Sequence, residues 1–89
     1  SQLIVLDKNA HAIGSLTEKG IVAKMEEEQA FDPHSRRISE VMEEAFPTIA
    51  LSTPQMTISH ILRDAQAVVV MRGSGIAGII TKADLLDKL

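Results

Sequence analysis

Residues 68–89 read VVVMRGSGIAGIITKADLLDKL, and their reading decides the fold. An apolar run, Val68 to Met71, meets the turn Arg72-Gly73-Ser74-Gly75, and a second apolar run follows from Ile76 to Ile80. A glycine-bearing turn between two apolar runs is the signal of a β-hairpin, because turns that match strand twist need residues at positive φ. The second run ends in Thr81-Lys82-Ala83-Asp84, after which Leu85, Leu86 and Leu89 recur at helical spacing. The stretch predicts a hairpin that feeds straight into a helix, with a hydroxyl and a carboxylate at the joint.

Working back from this hairpin, Asp64-Ala65-Gln66 turns the chain into it. A helix from about Gln55 to Arg63 precedes that turn and carries Met56, Ile58, Ile61 and Leu62. Ser52-Thr53-Pro54 is a helix-start signal, with proline near the first turn. Thr48 to Leu51 is expected as a short strand. Ile38, Val41 and Met42 stand at i, i+3 and i+4, which predicts a helix of about two turns over Ile38 to Glu44, stopped by Pro47. Gln29 to Arg37 (QAFDPHSRR) reads as a linker in which Pro33 disfavours helix at Asp32.

At the start of the chain, Leu3-Ile4-Val5-Leu6 shows no polar alternation and predicts a fully buried strand. Asp7 to His11 is a turn and Ala12 to Leu16 a second strand. Thr17 is a good N-cap and Glu18 suits the positive end of a helix dipole. Ile21, Val22 and Met25 then form one apolar stripe, and Glu26-Glu27-Glu28 reads as a solvated end. The order strand–turn–strand–helix thus occurs twice. Residues 3–25 overlay residues 67–89 without a gap, with Val5 on Val69, Gly14 on Gly78, Thr17 on Thr81 and Lys24 on Lys88. Repetition of both the glycine and the helix stripe argues for an internal repeat.

Composition narrows the class. The 89 residues carry a net charge of −3, no cysteine and two phenylalanines as the sole aromatics. The charge balance argues against a broad nucleic-acid surface and the aromatic poverty against a base-stacking platform. Without cysteine there is no disulfide framework and no thiolate zinc site, and the cytoplasm is the default compartment. No apolar run approaches the ~20 residues that span a bilayer, so no membrane association is expected. The chain enters directly on an apolar run, and it reads as a piece of a longer protein.

The residues at this point resemble the cystathionine-β-synthase (CBS) domain, a strand–helix–strand–strand–helix repeat that works in tandem pairs called Bateman modules. The motifs that carry the resemblance are GIITKAD, Gly78 to Asp84, and GSLTEKG, Gly14 to Gly20, against a pattern of Gly, two residues, Thr or Ser, two residues, Asp. The lead-in ISEVMEEAFPTIALSTP looks like the family's opening. The resemblance implies an α/β (α+β) fold in which two repeats pack about a pseudo-twofold axis. Residues 1–28 would be the C-terminal half of a first repeat, residues 29–37 a linker and residues 38–89 a complete second repeat. It further implies a regulatory rather than catalytic module that senses AMP, ADP, ATP or S-adenosylmethionine and controls an attached or partner effector domain. No cofactor is required.

Thr81 and Asp84 admit two readings. In one, the Thr81 hydroxyl meets a phosphate and the Asp84 carboxylate accepts from ribose hydroxyls. In the other, Thr81 caps the helix and Asp84 is an ordinary first-turn carboxylate. Residue types alone favour capping; the resemblance favours the clamp. Thr17 repeats the hydroxyl, but Gly20 stands where the family has aspartate. A charge-assisted hydrogen bond contributes roughly 1.5–3 kcal/mol, so ribose binding there should weaken about tenfold or more. The family's geometry implies that Met42, Phe46, Pro47 and the run Asp64, Ala65, Gln66, Ala67 wall the Thr17 cleft. The cleft of Asp84 would need an opening strand of the first repeat, so nucleotide binding by this chain alone is expected to be weak.

Lys19, Lys82, Arg36 and Arg37 are the candidate phosphate partners. His11, His34 and His60 lack metal-ligand spacing, and no G-x-S-x-G motif supports a nucleophile. Glu43 and Glu44 are adjacent and so lie on different faces of the expected helix, unsuited to joint acid–base work. Met25, Met42 and Met56 sit at core or interface spacing. A ligand-free homodimerisation or scaffolding module is the alternative, since the short helices carry apolar stripes that one small sheet leaves uncovered; a homodimer is expected in either case.

Overall fold

A side chain closes the first hairpin. Asp7 Oδ1 accepts the backbone N–H groups of Asn9 (2.8 Å) and His11 (2.9 Å), and Ala10 completes the turn at φ 65°. The computed structural model describes residues 2–28, 32 and 34–86. The chain divides into two units, residues 1–45 and 46–89.

In the first unit, β1 (Gln2–Leu6) pairs antiparallel with β2 (Ala12–Thr17), and α1 (Glu18–Glu27) follows at once. Thr17 caps α1, its Oγ1 accepting the Gly20 N–H at 2.9 Å. β1 is not the fully buried strand expected of its composition. Leu3 is 62% and Leu6 48% exposed, because strand side chains project from the faces of a sheet and nothing among the described residues covers these two.

The expected helix over Ile38 to Glu44 is cut to the single turn α2 (Ile38–Val41). Met42 leaves the helix with ψ 153°, and Glu43 instead forms a β-bridge to Ser15. Ser15 N–H donates to Glu43 O (3.0 Å), Glu43 N–H to Ser15 O (2.9 Å), and the buried Ser15 hydroxyl to Glu44 O (2.6 Å). Three hydrogen bonds to a strand replace what one more helical turn would give. Glu43 and Glu44 therefore follow α2 in a non-helical segment and do not lie on faces of a helix. Residues 38–45 belong to the first unit.

Two carboxylates in this unit sit below their ordinary pKa. The backbone N–H of His11 is the main cause at Asp7, and the backbone N–H of Arg37, 2.8 Å from Oε2, at Glu40. A carboxylate lowered in the folded state adds stability that is complete above its unfolded pKa and drains as pH falls through the folded one. Thermal unfolding followed from pH 7 to pH 2 should therefore lose stability below about pH 4. A double variant, Asp7→Asn with Glu40→Gln, should show a flatter acid limb. An acid limb equal to that of the parent would show that these bonds do not contribute.

The second unit is organised on β4 (Ala67–Arg72), which pairs parallel with β3 (Thr48–Ala50) and antiparallel with β5 (Gly75–Thr81). As the central strand it is buried from Ala67 through Val70, the result the unbroken apolar run predicts. α3 (Gln55–Ile61) forms the crossover between the parallel strands, and α4 (Lys82–Leu86) follows β5. Ile58, Leu62 and Val68 form the core, with Ile49, Ile61, Ile80 and Leu85 packed against it. Gly73, at φ 60°, holds the first central position of the tight turn, where glycine carries no steric cost.

The two hairpins share a register. Gln2 lies opposite Thr17 as Ala67 lies opposite Thr81, and Val5 opposite Gly14 as Val70 lies opposite Gly78. Both ladders shift at the next residue, between Val5 and Leu6 and between Val70 and Met71. This corrects the gapless overlay: Val5 corresponds to Val70, not Val69, because the Asp7 turn is one residue longer. From Gly14 and Gly78 onward the original alignment holds. Lys88 and Leu89, like Gln29 to Phe31 and Pro33 of the expected linker, lie outside the described residues.

Candidate functional site

Each unit ends its hairpin in a strand-to-helix joint. At the second joint, Asp84 Oδ2 accepts from the Thr81 N–H (2.8 Å) and from the Thr81 hydroxyl (3.1 Å), and the Asp84 N–H reaches Thr81 Oγ1 (3.4 Å). Thr81 and Asp84 thus form a reciprocal capping box. Both bonds to the carboxylate use a single oxygen, Oδ2. Asp84 is exposed, and its Oδ1 makes no hydrogen bond among the described residues. The capping role and an acceptor role are compatible within one carboxylate.

At the first joint, Thr17 keeps the hydroxyl and the cap, while Gly20 contributes a backbone N–H only. The carboxylate near this joint comes from elsewhere. A Cβ built on Gly20 would collide with Glu43 Oε1 and lie 3.1 Å from Glu43 Cδ. Beside it opens a cleft of about 250 Å³ lined by Gly20, Ala23, Lys24, Glu27, Val41 and Glu43. Glu43 is the residue that sequence reasoning misses. Its signal is a glycine in the aspartate position, which leaves room that another side chain fills.

The other candidates distribute as follows. Met42 belongs to the first unit and packs its Sδ over Gly14. Phe46 is buried in the second unit, and Pro47 O accepts the Val69 N–H at 2.8 Å. Asp64 and Ala65 donate their N–H groups to Ile61 O at 3.2 and 3.1 Å, closing α3; Gln66 is exposed and Ala67 fully buried opposite Thr81. Of the cations, Lys19 and Lys82 are exposed in the first turns of α1 and α4, and Arg37 is exposed just before α2. Arg36 is already committed: its guanidinium bonds Glu28 and lies 3.4 Å from Glu40. Met25 and Met56 are exposed, 47% and 70%, so of the three methionines considered only Met42 is packed. Among the described residues no cluster of His, Cys, Asp or Glu could hold a metal ion, and no helix is long and apolar enough to cross a membrane.

Comparison with known proteins turns this geometry into a family. No curated protein matches. Among solved structures, the chain is similar to a CBS-domain containing protein from Agrobacterium tumefaciens, with TM-score 0.84 at 19% identity over 98% of this chain and 70% of that one. It is similar to a conserved CBS domain protein from Thermoplasma acidophilum, with TM-score 0.80 at 23% identity over 99% of this chain and 51% of that one. The CBS domains of a transcriptional regulator from Streptococcus pneumoniae match with TM-score 0.69 at 24% identity over 98% and 69%. The chain therefore spans between about half and 70% of the length of these structures. The family model of the CBS domain matches residues 38–89, well over half of the sequence, and the chain belongs to the CBS domain family.

Proposed function

We propose that this chain is a regulatory module that senses an adenosine-containing ligand and controls an attached or partner domain. AMP, ADP, ATP and S-adenosylmethionine share the ribose that the site would grip. The supporting observation is the Thr81–Asp84 joint, where the cap uses Asp84 Oδ2 alone and the exposed carboxylate keeps acceptor capacity for hydroxyls. The role is binding rather than catalysis, and no cofactor takes part. Asp84→Asn in the full-length protein should weaken AMP or ATP binding about tenfold by calorimetry and remove the ligand-induced rise in Tm. Its unliganded Tm should stay within a few degrees of the parent, because the amide oxygen can still accept the capping bonds. Unchanged nucleotide affinity in this variant would overturn the sensing reading.

A second reading, self-association, is favoured by the groove between α3 and α4. It encloses about 320 Å³ and is lined by Leu62, Leu85 and Leu86, with Arg63 and Lys82 among its walls. Leu86 is 66% exposed, a free apolar side chain at its edge. A second copy covering this groove would bury it, and Leu86→Lys should then convert a dimer to a monomer in light scattering. A monomeric parent chain would sink this reading.

A further inference from the structure

The first joint presents a contradiction: it has the hydroxyl, the cap and the cleft, but no carboxylate on residue 20. We propose that Glu43 supplies that carboxylate, in the role Asp84 has at the second joint, and that the first joint is thereby a second ribose-binding position. This rests on the sensing function proposed above and assigns a residue to it that the joint motif does not contain.

Four observations carry the proposal. The hairpin register makes Thr17 and Gly20 the counterparts of Thr81 and Asp84. An aspartate there would hold its carboxyl carbon about 1.5 Å beyond Cβ. The Cβ position on Gly20 already overlaps Glu43 Oε1 and lies 3.0 Å from Thr17 Oγ1, so the Glu43 side chain ends in the space that a residue-20 side chain would use. Next, Glu43 is launched from fixed backbone, since both its N–H and its C=O are bonded to Ser15. Last, Glu43 lines the 250 Å³ cleft together with Glu27 and Lys24, and Lys24 is the cation there that suits the phosphate end of a nucleotide. Glycine at position 20 then has a reason: any side chain would displace the carboxylate that replaced its own.

A plain structural role would be different. A carboxylate near the first turn of α1 is favourable through the helix dipole whatever ligand is present, and its removal would lower stability without touching affinity. The test separates the two. The full-length protein is titrated calorimetrically with AMP and with 2′-deoxy-AMP, as wild type, Glu43→Gln and Asp84→Asn. The expected result is that Glu43→Gln weakens AMP about tenfold at one site and leaves 2′-deoxy-AMP nearly unchanged, with the effect adding to that of Asp84→Asn. If Glu43→Gln titrates as wild type while Asp84→Asn loses binding, the sensing function stands and the role of Glu43 is overturned. A wild-type full-length protein that takes up no AMP overturns both.

A swap checks the contact without ligand. Gly20→Asp should lower Tm by about 5 °C or more, although aspartate is the better helix former, and Gly20→Asp with Glu43→Ala should recover most of the loss. Equal Tm for Gly20→Asp and wild type would show that the two side chains do not compete for one space, and the proposal would fall.

Discussion

Replacing Leu62 by alanine is expected to remove about 2–5 kcal/mol of folding stability, the range for a core leucine that leaves a cavity. Leu62 is 2% exposed and packs with Ile58 and Val68 at the centre of the second unit. It stands at the end of α3, where its N–H donates to Ile58 O at 3.0 Å, so the backbone cannot follow a smaller side chain inward without breaking that bond. A chain of 89 residues has a total stability of order 4–13 kcal/mol, and the variant should be partly unfolded near physiological temperature. Met56→Ala is the internal control. It lies on the same helix but is 70% exposed, and its effect should stay within about 0.5 kcal/mol. Urea unfolding decides the matter: equal midpoints for the two variants would contradict the core described above.

The second large effect concerns two glycines that the hairpin register makes equivalent. A Cβ on Gly14 would collide with Met42 Sδ and stand 3.0 Å from Glu43 O, a backbone atom held by the Ser15 bridge. A Cβ on Gly78 meets nothing within 4 Å. Gly14→Ala should cost about 1–3 kcal/mol through overpacking against backbone that cannot yield. Gly78→Ala should be neutral or stabilising by about 0.4–1 kcal/mol, since alanine restricts the unfolded chain. The motif glycine is thus needed for space in one copy and dispensable for packing in the other. Equal unfolding midpoints for Gly14→Ala and Gly78→Ala would refute this difference.

How much of this was legible without coordinates depends on what each segment packs against. The hairpin from Ala67 to Thr81 is readable because local signals agree: two apolar runs, a glycine where φ must be positive, and a Thr-x-x-Asp cap. The helix at Ile38 is shorter than its spacing predicts because Val41 and Met42 continue the helical pattern, while the force that straightens Met42 comes from Ser15, 27 positions earlier. No local pattern reports such a partner. β1 is less buried than its composition predicts for a related reason. Composition reports what a strand could bury, and what packs over its faces decides what it does bury. At the site, the Thr17 and Thr81 caps followed from spacing alone, whereas the carboxylate of Glu43 is joined to Gly20 only by the fold. A vacancy in a motif is visible in a sequence; the group that fills it is not.

The Ser15–Glu43 bridge also bears on how this chain can be cut. Residues 38–89 contain the whole family match, yet 38–45 fold with the preceding hairpin. A fragment trimmed to the family boundary would strand the Glu43 N–H and C=O, expose the side chain of Met42 that covers Gly14, and lose the acceptor of the Ser15 hydroxyl from the other piece. Cutting after residue 45 keeps every one of those bonds while splitting the family repeat in two. The unit of descent and the unit of folding are offset here by eight residues, the length of segment 38–45, and a recombination that respects one will break the other.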